Sequence, residues 1–161
     1  MMRYRNLPYN VSHDDWDGEW QASLRGQHLG VYGDSVREQL AGLVAGDTRE
    51  LLVYPVVPAL RSGASRAVTK AWFTVKAKET DADGAAIFQL AITTTNNPGV
   101  GQIVSATLPE LRFDLTAANT ALLAPHKDYY FDVQMKTDDG AIYTVERGTL
   151  TAAQGITVTT S

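Results

Sequence analysis

Strict alternation of apolar and polar residues after residue 46 constrains the fold more than any other feature of this chain. In residues 68–78 one side of the pattern holds Thr69, Ala71, Phe73, Val75 and Ala77, and the other holds Lys70, Trp72, Thr74, Lys76 and Lys78. A period of two indicates a β-strand with one buried face, because successive side chains point to opposite sides. Runs of this kind, separated by turn residues, predict an all-β domain.

Two pairs of these runs predict β-hairpins. The first run continues into Asp81-Ala82-Asp83-Gly84 and a return run with Ala86, Phe88, Leu90 and Ile92 on one side. The second, in residues 128–137, groups Tyr129, Phe131, Val133 and Met135, and it turns at Asp138-Asp139-Gly140. Asp and Gly favour such turns because they tolerate positive φ. Gly148 in the second return run predicts a β-bulge.

The remaining elements complete a predicted β-sandwich over residues 46–161, preceded by an arm over residues 1–45. Pro55 predicts an edge or bent strand, since proline cannot donate to a central ladder. Ile156 and Val158 predict a last edge strand. Two short helices are expected, one with Ser35 and Glu38 as a capping box and one capped by Thr116.

Charge and cysteine content exclude several classes of protein. Fourteen Lys and Arg against 18 Asp and Glu give a net charge of −4, which argues against nucleic acid or an anionic membrane as a partner. The chain has no cysteine, and therefore no disulfide or thiolate metal site. No apolar run approaches the ~20 residues that span a bilayer, and residues 1–10 do not resemble a signal peptide.

No catalytic, metal-binding or cofactor-binding residue is predicted. The acidic cluster His13, Asp14, Asp15, Asp17 and Glu19 is open to two interpretations: a metal or acid–base site, or an exposed loop. Asp81-Ala82-Asp83-Gly84 resembles the start of a calcium loop, but Ala85 and Ile92 stand where further oxygen ligands are needed. Gly99-Val100-Gly101 is predicted to be a loop without the helix that a phosphate site requires.

Aromatic residues are the candidate interface residues. Trp72 and Tyr130 lie opposite the predicted core face, Tyr54 lies in the predicted edge strand, and Tyr9, Trp16 and Trp20 lie in the arm. Either the arm covers the first three, or these aromatic residues form contacts between subunits, where Trp and Tyr are enriched.

The part of the chain from about residue 46 to 161 resembles the N-terminal domain of the upper baseplate proteins of tailed bacteriophages. The resemblance rests on Gly46-Asp47-Thr48, on residues 113–116, on Tyr130-Phe131-Asp132-Val133-Gln134, and on the Gly140 turn with its return to Gly148-Thr149-Leu150. The resemblance implies an immunoglobulin-like β-sandwich that serves as an adaptor in virions, without catalysis or cofactor. Residues 1–45 have no counterpart in that pattern.

Three functional hypotheses follow. The first is a non-enzymatic virion protein, assembled in the host cytoplasm, that forms a homo-oligomer and attaches to other capsid or tail proteins. The second is a carbohydrate-binding module for host surface glycans, with Trp16, Trp20 or Trp72 as a stacking surface. The third is a small hydrolase acting through the acidic cluster at residues 14–19.

Overall fold

The structure, a computed structural model, describes residues 29–58 and 66–156. Within these ranges the chain forms eight strands and two short α-helices. In chain order they are β1 (Val31–Tyr32), α1 (Val36–Leu40), β2 (Arg49–Pro55), β3 (Val68–Lys76), β4 (Phe88–Ile92), β5 (Gly101–Ser105), β6 (Glu110–Leu115), α2 (Ala117–Thr120), β7 (Asp128–Thr137) and β8 (Ile142–Thr151).

The strands form two antiparallel sheets. The first sheet has the order β1-β2-β6-β5 and the second the order β4-β3-β7-β8. Both predicted hairpins are present, because β3 pairs with β4 and β7 pairs with β8. The prediction of an all-β fold with short helices is therefore confirmed.

A cluster of four phenylalanines lies in the core between the sheets. All four phenylalanines of the chain are buried, and the ring of Phe73 on β3 lies about 6 Å from each of the other three. Phe88 and Phe131 belong to the same sheet as Phe73, whereas Phe113 reaches across from β6 at a centroid distance of 5.9 Å. These contacts join the two sheets through their inner faces.

Backbone hydrogen bonds link the edges of the two sheets on both sides of the sandwich. On one side the Leu29 N–H donates to the Thr144 carbonyl at 3.1 Å, and the Gly30 carbonyl accepts from the Val56 N–H at 3.1 Å. On the other side the Ile103 N–H donates to the Thr93 carbonyl at 2.7 Å. The edges that would otherwise present free backbone groups are thus partly paired.

Two β-bulges change the alternation of buried and exposed residues that the sequence predicts. In β3 the register shifts between Val68 and Lys70, so Val68 is buried and Thr69 is exposed, contrary to the prediction for Thr69. In β8 the shift falls at Val145, not at Gly148. Gly148 pairs regularly with Phe131, and a Cβ there would lie 3.0 Å from that ring. Glycine is thus explained at this position by packing against the ring.

The edge strands follow the prediction in part. β2 has β6 as its neighbour along Arg49–Val53, and β1 pairs with it only at Tyr54 and Pro55. Ile156 is 98% exposed and lies outside any strand, so the predicted last strand does not begin there. Val158 lies outside the described residues.

Both predicted helix caps are present. Ser35 and Glu38 form a reciprocal capping box at α1, and Thr116 and Asn119 form one at α2. Glu146 on β8 also accepts hydrogen bonds from the Val36 and Arg37 N–H groups, at 2.8 and 3.1 Å. This carboxylate holds the helix against the second sheet and suits the positive end of the helix dipole.

The helical segment contributes to the same core as the strands. Val36, Leu40 and Leu43 are buried in the hydrophobic cluster that lies between the sheets.

The predicted boundary between residues 45 and 46 remains a prediction. Among the described residues, no helix has the length and apolar character needed to cross a membrane.

Gly101 is the residue at which the backbone conformation matters most. The sequence placed it in a loop, whereas it begins β5, with φ at 125°. A Cβ at this position would lie 2.0 Å from the carbonyl oxygen of Arg112 on β6. The close approach of the two backbones therefore requires glycine.

We expect Gly101→Ala to lower the free energy of unfolding by about 3 kcal/mol or more, because both the backbone strain and the clash must be relieved. Chemical denaturation monitored by tryptophan fluorescence measures the change. Gly84→Ala is the matched control, since nothing lies within 4 Å of its added Cβ, and a change within about 0.5 kcal/mol is expected. Equal effects of the two variants would contradict this account.

Candidate functional site

The outward faces of the two sheets carry the candidate residues that the structure describes. Tyr54 lies on the first sheet and is 38% exposed. Trp72 and Tyr130 lie on the second sheet, where Tyr130 is 37% exposed and Trp72 is half-buried. Tyr9, Trp16, Trp20 and the acidic cluster at residues 13–19 lie outside the described residues.

Tyr54 belongs to a pair of tyrosines at the edge of the first sheet. It is directly opposite Tyr32 of β1, whose side chain is 66% exposed. Tyr32 is not among the residues predicted from the sequence, because a strand of two residues gives no periodic pattern. The two tyrosines form the most exposed aromatic surface among the described residues.

Trp72 is less available than the sequence indicates. It lies between Ala91 on β4 and Gln134 on β7, and the Lys70 ammonium sits 5.2 Å from the centre of its ring. This cation–π contact occupies part of the ring.

A depression of about 330 Å³ lies on the outward face of the second sheet, beside Tyr130. Its floor consists of two neighbouring cross-strand rows from β3, β7 and β8. One row is Lys76, Tyr130 and Thr149, and the other is Thr74, Asp132 and Arg147. Glu79, from the β3–β4 connection, and Arg37, from α1, also line it.

Asp132 is the unusual group in this depression. Its Oδ1 is buried and has no hydrogen-bond partner in the described part of the chain. Thr74 hydrogen bonds the same carboxyl group, and Thr74 in turn accepts from the Gln89 amide at 3.0 Å. Burial raises the pKa of Asp132, although the Lys76 charge and the Thr74 hydrogen bond partly oppose that rise. The charged form therefore costs folding free energy.

The cations around Asp132 are mostly paired with other acids. Lys76 contacts Asp83 at 2.7 Å and is largely buried, whereas Arg147 contacts Glu79 at 3.7 Å and both side chains are exposed. Arg37 extends over Gly148, where an added Cβ would lie 3.1 Å from its guanidinium. The depression therefore contains both positively and negatively charged side chains, without a strong local excess of either charge.

A second polar cluster, around Arg66, has a structural role. The Arg66 guanidinium is buried, donates to the Tyr143 hydroxyl and lies 3.5 Å from the Asp139 carboxylate. A hydrogen bond from Thr137 lowers the pKa of Asp139. These contacts connect the segment that precedes β3 to the β7–β8 turn and to β8.

The predicted calcium-like turn is the connection of the first hairpin, as expected. Asp81 accepts from the Lys78 N–H at 3.0 Å and Asp83 pairs with Lys76, so both carboxylates have partners within the turn region. In residues 29–58 and 66–156 there is no group of three or more acidic, histidine or cysteine side chains arranged to hold a metal ion.

The sequence pattern contained part of this site. It placed Thr74, Lys76, Tyr130 and Asp132 on outward faces, and all four line the depression, although Thr74 is itself buried. It could not show that β3 lies beside β7, because that pairing joins residues about sixty positions apart. Arg147 was also missed, since its direction depends on the bulge at Val145.

We expect Asp132→Asn to stabilise the protein at neutral pH by up to about 1 kcal/mol, because the amide removes a partly buried charge that solvent already screens in part. In the native protein the raised pKa means that protonation favours the folded state. The advantage of the variant should therefore shrink as the pH falls through the native pKa of Asp132 and be lost below the unfolded pKa.

Denaturation curves between pH 3 and pH 7 test this expectation. Asp138→Asn, an exposed carboxyl in the β7–β8 turn, provides the same change in net charge as a control. A destabilised Asp132→Asn protein at neutral pH, or a gain that grows toward acid, would refute the assignment of a folding cost to Asp132.

Comparison of the chain with protein-family models, with curated proteins and with solved structures found no match. The geometry and chemistry of the chain are therefore the basis for assigning its function.

Proposed function

We propose that this chain is a non-enzymatic structural protein of a tailed-bacteriophage virion. It forms a homo-oligomer and attaches to the particle as a capsid decoration, a head-fibre component or a tail or baseplate accessory, after assembly in the host cytoplasm. The observation that carries the proposal is the exposed pair Tyr32 and Tyr54 on the outward face of a closed two-sheet domain.

The closed domain supports a role in assembly. A buried phenylalanine cluster joins the sheets and backbone hydrogen bonds join their edges, so the outward faces are held in one shape. A preformed surface loses little conformational entropy on association, which favours repeated contacts between copies.

The polar groups near the tyrosine pair also support burial of this face against a second copy. On the same face, Arg112 donates to the Asn96 side chain at 3.0 Å, and its Nε lies 3.3 Å from the Asp114 carboxylate without a hydrogen bond. The Gln102 amide donates to the Thr94 carbonyl at 3.0 Å. Polar side chains that already have partners cost less to cover. Tyrosine itself tolerates burial at one end and water at the other.

The proposal includes an immunoglobulin-like sandwich, in which most strands are distributed between the two sheets as in immunoglobulin domains. In the constant-type arrangement the first, second, fourth and fifth strands share one sheet. Counted from β2, the first, fourth and fifth strands of this chain share the first sheet, whereas the second strand, β3, lies in the other. The resemblance to phage baseplate domains therefore concerns the sequence pattern of the strands, with one strand exchanged between sheets.

We expect the purified full chain to form a homo-oligomer that Tyr32→Lys or Tyr54→Lys weakens. Central tyrosines in interfaces often contribute 2 kcal/mol or more, so the dissociation constant should rise at least about tenfold. Sedimentation velocity over a range of concentrations measures it.

Leu122→Lys is the control, because Leu122 is a 56% exposed apolar residue away from the tyrosine pair, and this variant should keep the parental oligomer. A strictly monomeric parent, or an oligomer that neither tyrosine variant weakens, would contradict the proposed interface. Antibodies against the chain should also label purified virions of the phage that encodes it; unlabelled particles would contradict the virion role.

A further inference from the structure

The depression beside Tyr130 has features that the proposed structural role does not require. The Asp132 carboxyl lines the depression and holds a charge that folding disfavours, and its Oδ1, which is buried beneath the surface, has no hydrogen-bond partner in the described part of the chain. Functional groups are often retained at such a cost to stability. The question is which ligand chemistry fits the residues that line it.

The size of the depression indicates a small molecule. Its volume of about 330 Å³ lies at the lower end of the range typical of ligand sites, roughly 300–1,000 Å³. The exposed part of the Tyr130 ring provides an apolar surface at one side, and the second row of the floor, with Thr74, Asp132 and Arg147, is polar. An occupant should therefore have an apolar face and polar edges.

The charges favour a neutral occupant. An anion would meet the carboxylates of Asp132 and Glu79, and the two nearest cations, Lys76 and Arg147, already contact acidic side chains. A cation would meet Lys76, Arg147 and Arg37. A neutral ligand with several hydroxyl groups can donate to a carboxylate and accept from a guanidinium without either penalty.

We propose that this depression binds a neutral sugar ring, with Tyr130 as the stacking surface and Asp132, Arg147 and Thr149 as the hydrogen-bonding groups. The apolar face of the ring packs on the tyrosine, a sugar hydroxyl donates to the carboxyl of Asp132, and Arg147 and Thr149 bind the neighbouring hydroxyls. Arg147 is well suited to adjust, because its side chain is 62% exposed and its contact with Glu79 is long. The site does not depend on the proposed virion role or on Trp72.

The test is a titration of the full chain, labelled with ¹⁵N, with glucose, galactose, mannose, N-acetylglucosamine and N-acetylgalactosamine. We expect at least one sugar to shift the backbone amides of residues 130–132 and 147–149 in a saturable manner. Hydrogen bonds to charged groups contribute about 1.5–3 kcal/mol, so Asp132→Asn should weaken binding about tenfold or more. Tyr130→Ala should abolish it.

Leu122→Ala is the control, because Leu122 is 56% exposed and does not line the depression, and this variant should bind as the parent does. Asp132→Asn keeps the shape of the side chain and remains informative if Tyr130→Ala fails to fold. The proposal is overturned if no sugar gives saturable shifts, if the shifts centre on Trp72, or if they persist in the Asp132→Asn and Tyr130→Ala proteins. It is also overturned if inorganic phosphate alone produces the shifts.

Immobilised oligosaccharides that carry the responding sugar at the end or within the chain distinguish the source of the ligand. Binding to internal residues identifies a polysaccharide, and binding only to terminal residues or free sugar identifies a single ring. Either result supports the proposed site, provided that the Asp132→Asn substitution weakens the binding.

Discussion

The packing of Phe73 against the other three phenylalanines is the interaction on which the structure depends. Three of these rings lie on neighbouring strands of one sheet, and Phe113 comes from the opposite sheet. Because their side chains occupy the inward positions of β3, β4, β6 and β7, the alternate positions of the same strands must point outward. The core thereby determines which polar and aromatic residues are available for binding.

The two outward faces differ in chemistry. The first sheet presents a tyrosine pair near polar side chains that have partners within the chain. The second presents a depression in which a carboxylate has an unsatisfied oxygen and cations are held by other acids. The proposed contact between copies and the proposed binding of a small neutral ligand therefore involve opposite sides of one domain and do not compete for the same surface.

Irregularities in the strands shape the second face as much as regular pairing does. The bulge at Val145 turns Arg147 toward Asp132 and directs Glu146 to the first turn of α1, where it binds two backbone N–H groups. Gly148 leaves room for the Phe131 ring and for Arg37 at the rim of the depression. One extra residue in β8 thus contributes both to helix anchoring and to the composition of the site.

The sequence alone determined the local features. Alternation identified the two hairpins and the inward residues of β4 and β7, and Ser35 and Thr116 identified the helix caps, because each signal acts over a few neighbouring residues. Only the tertiary structure decided that β3 lies beside β7, that the bulges fall at Thr69 and Val145, and that Asp132 meets Thr74, Arg147 and Tyr130 in one depression. Those arrangements depend on pairing between distant segments and on the packing of the phenylalanine cluster. Neither factor produces a periodic pattern in the amino-acid sequence.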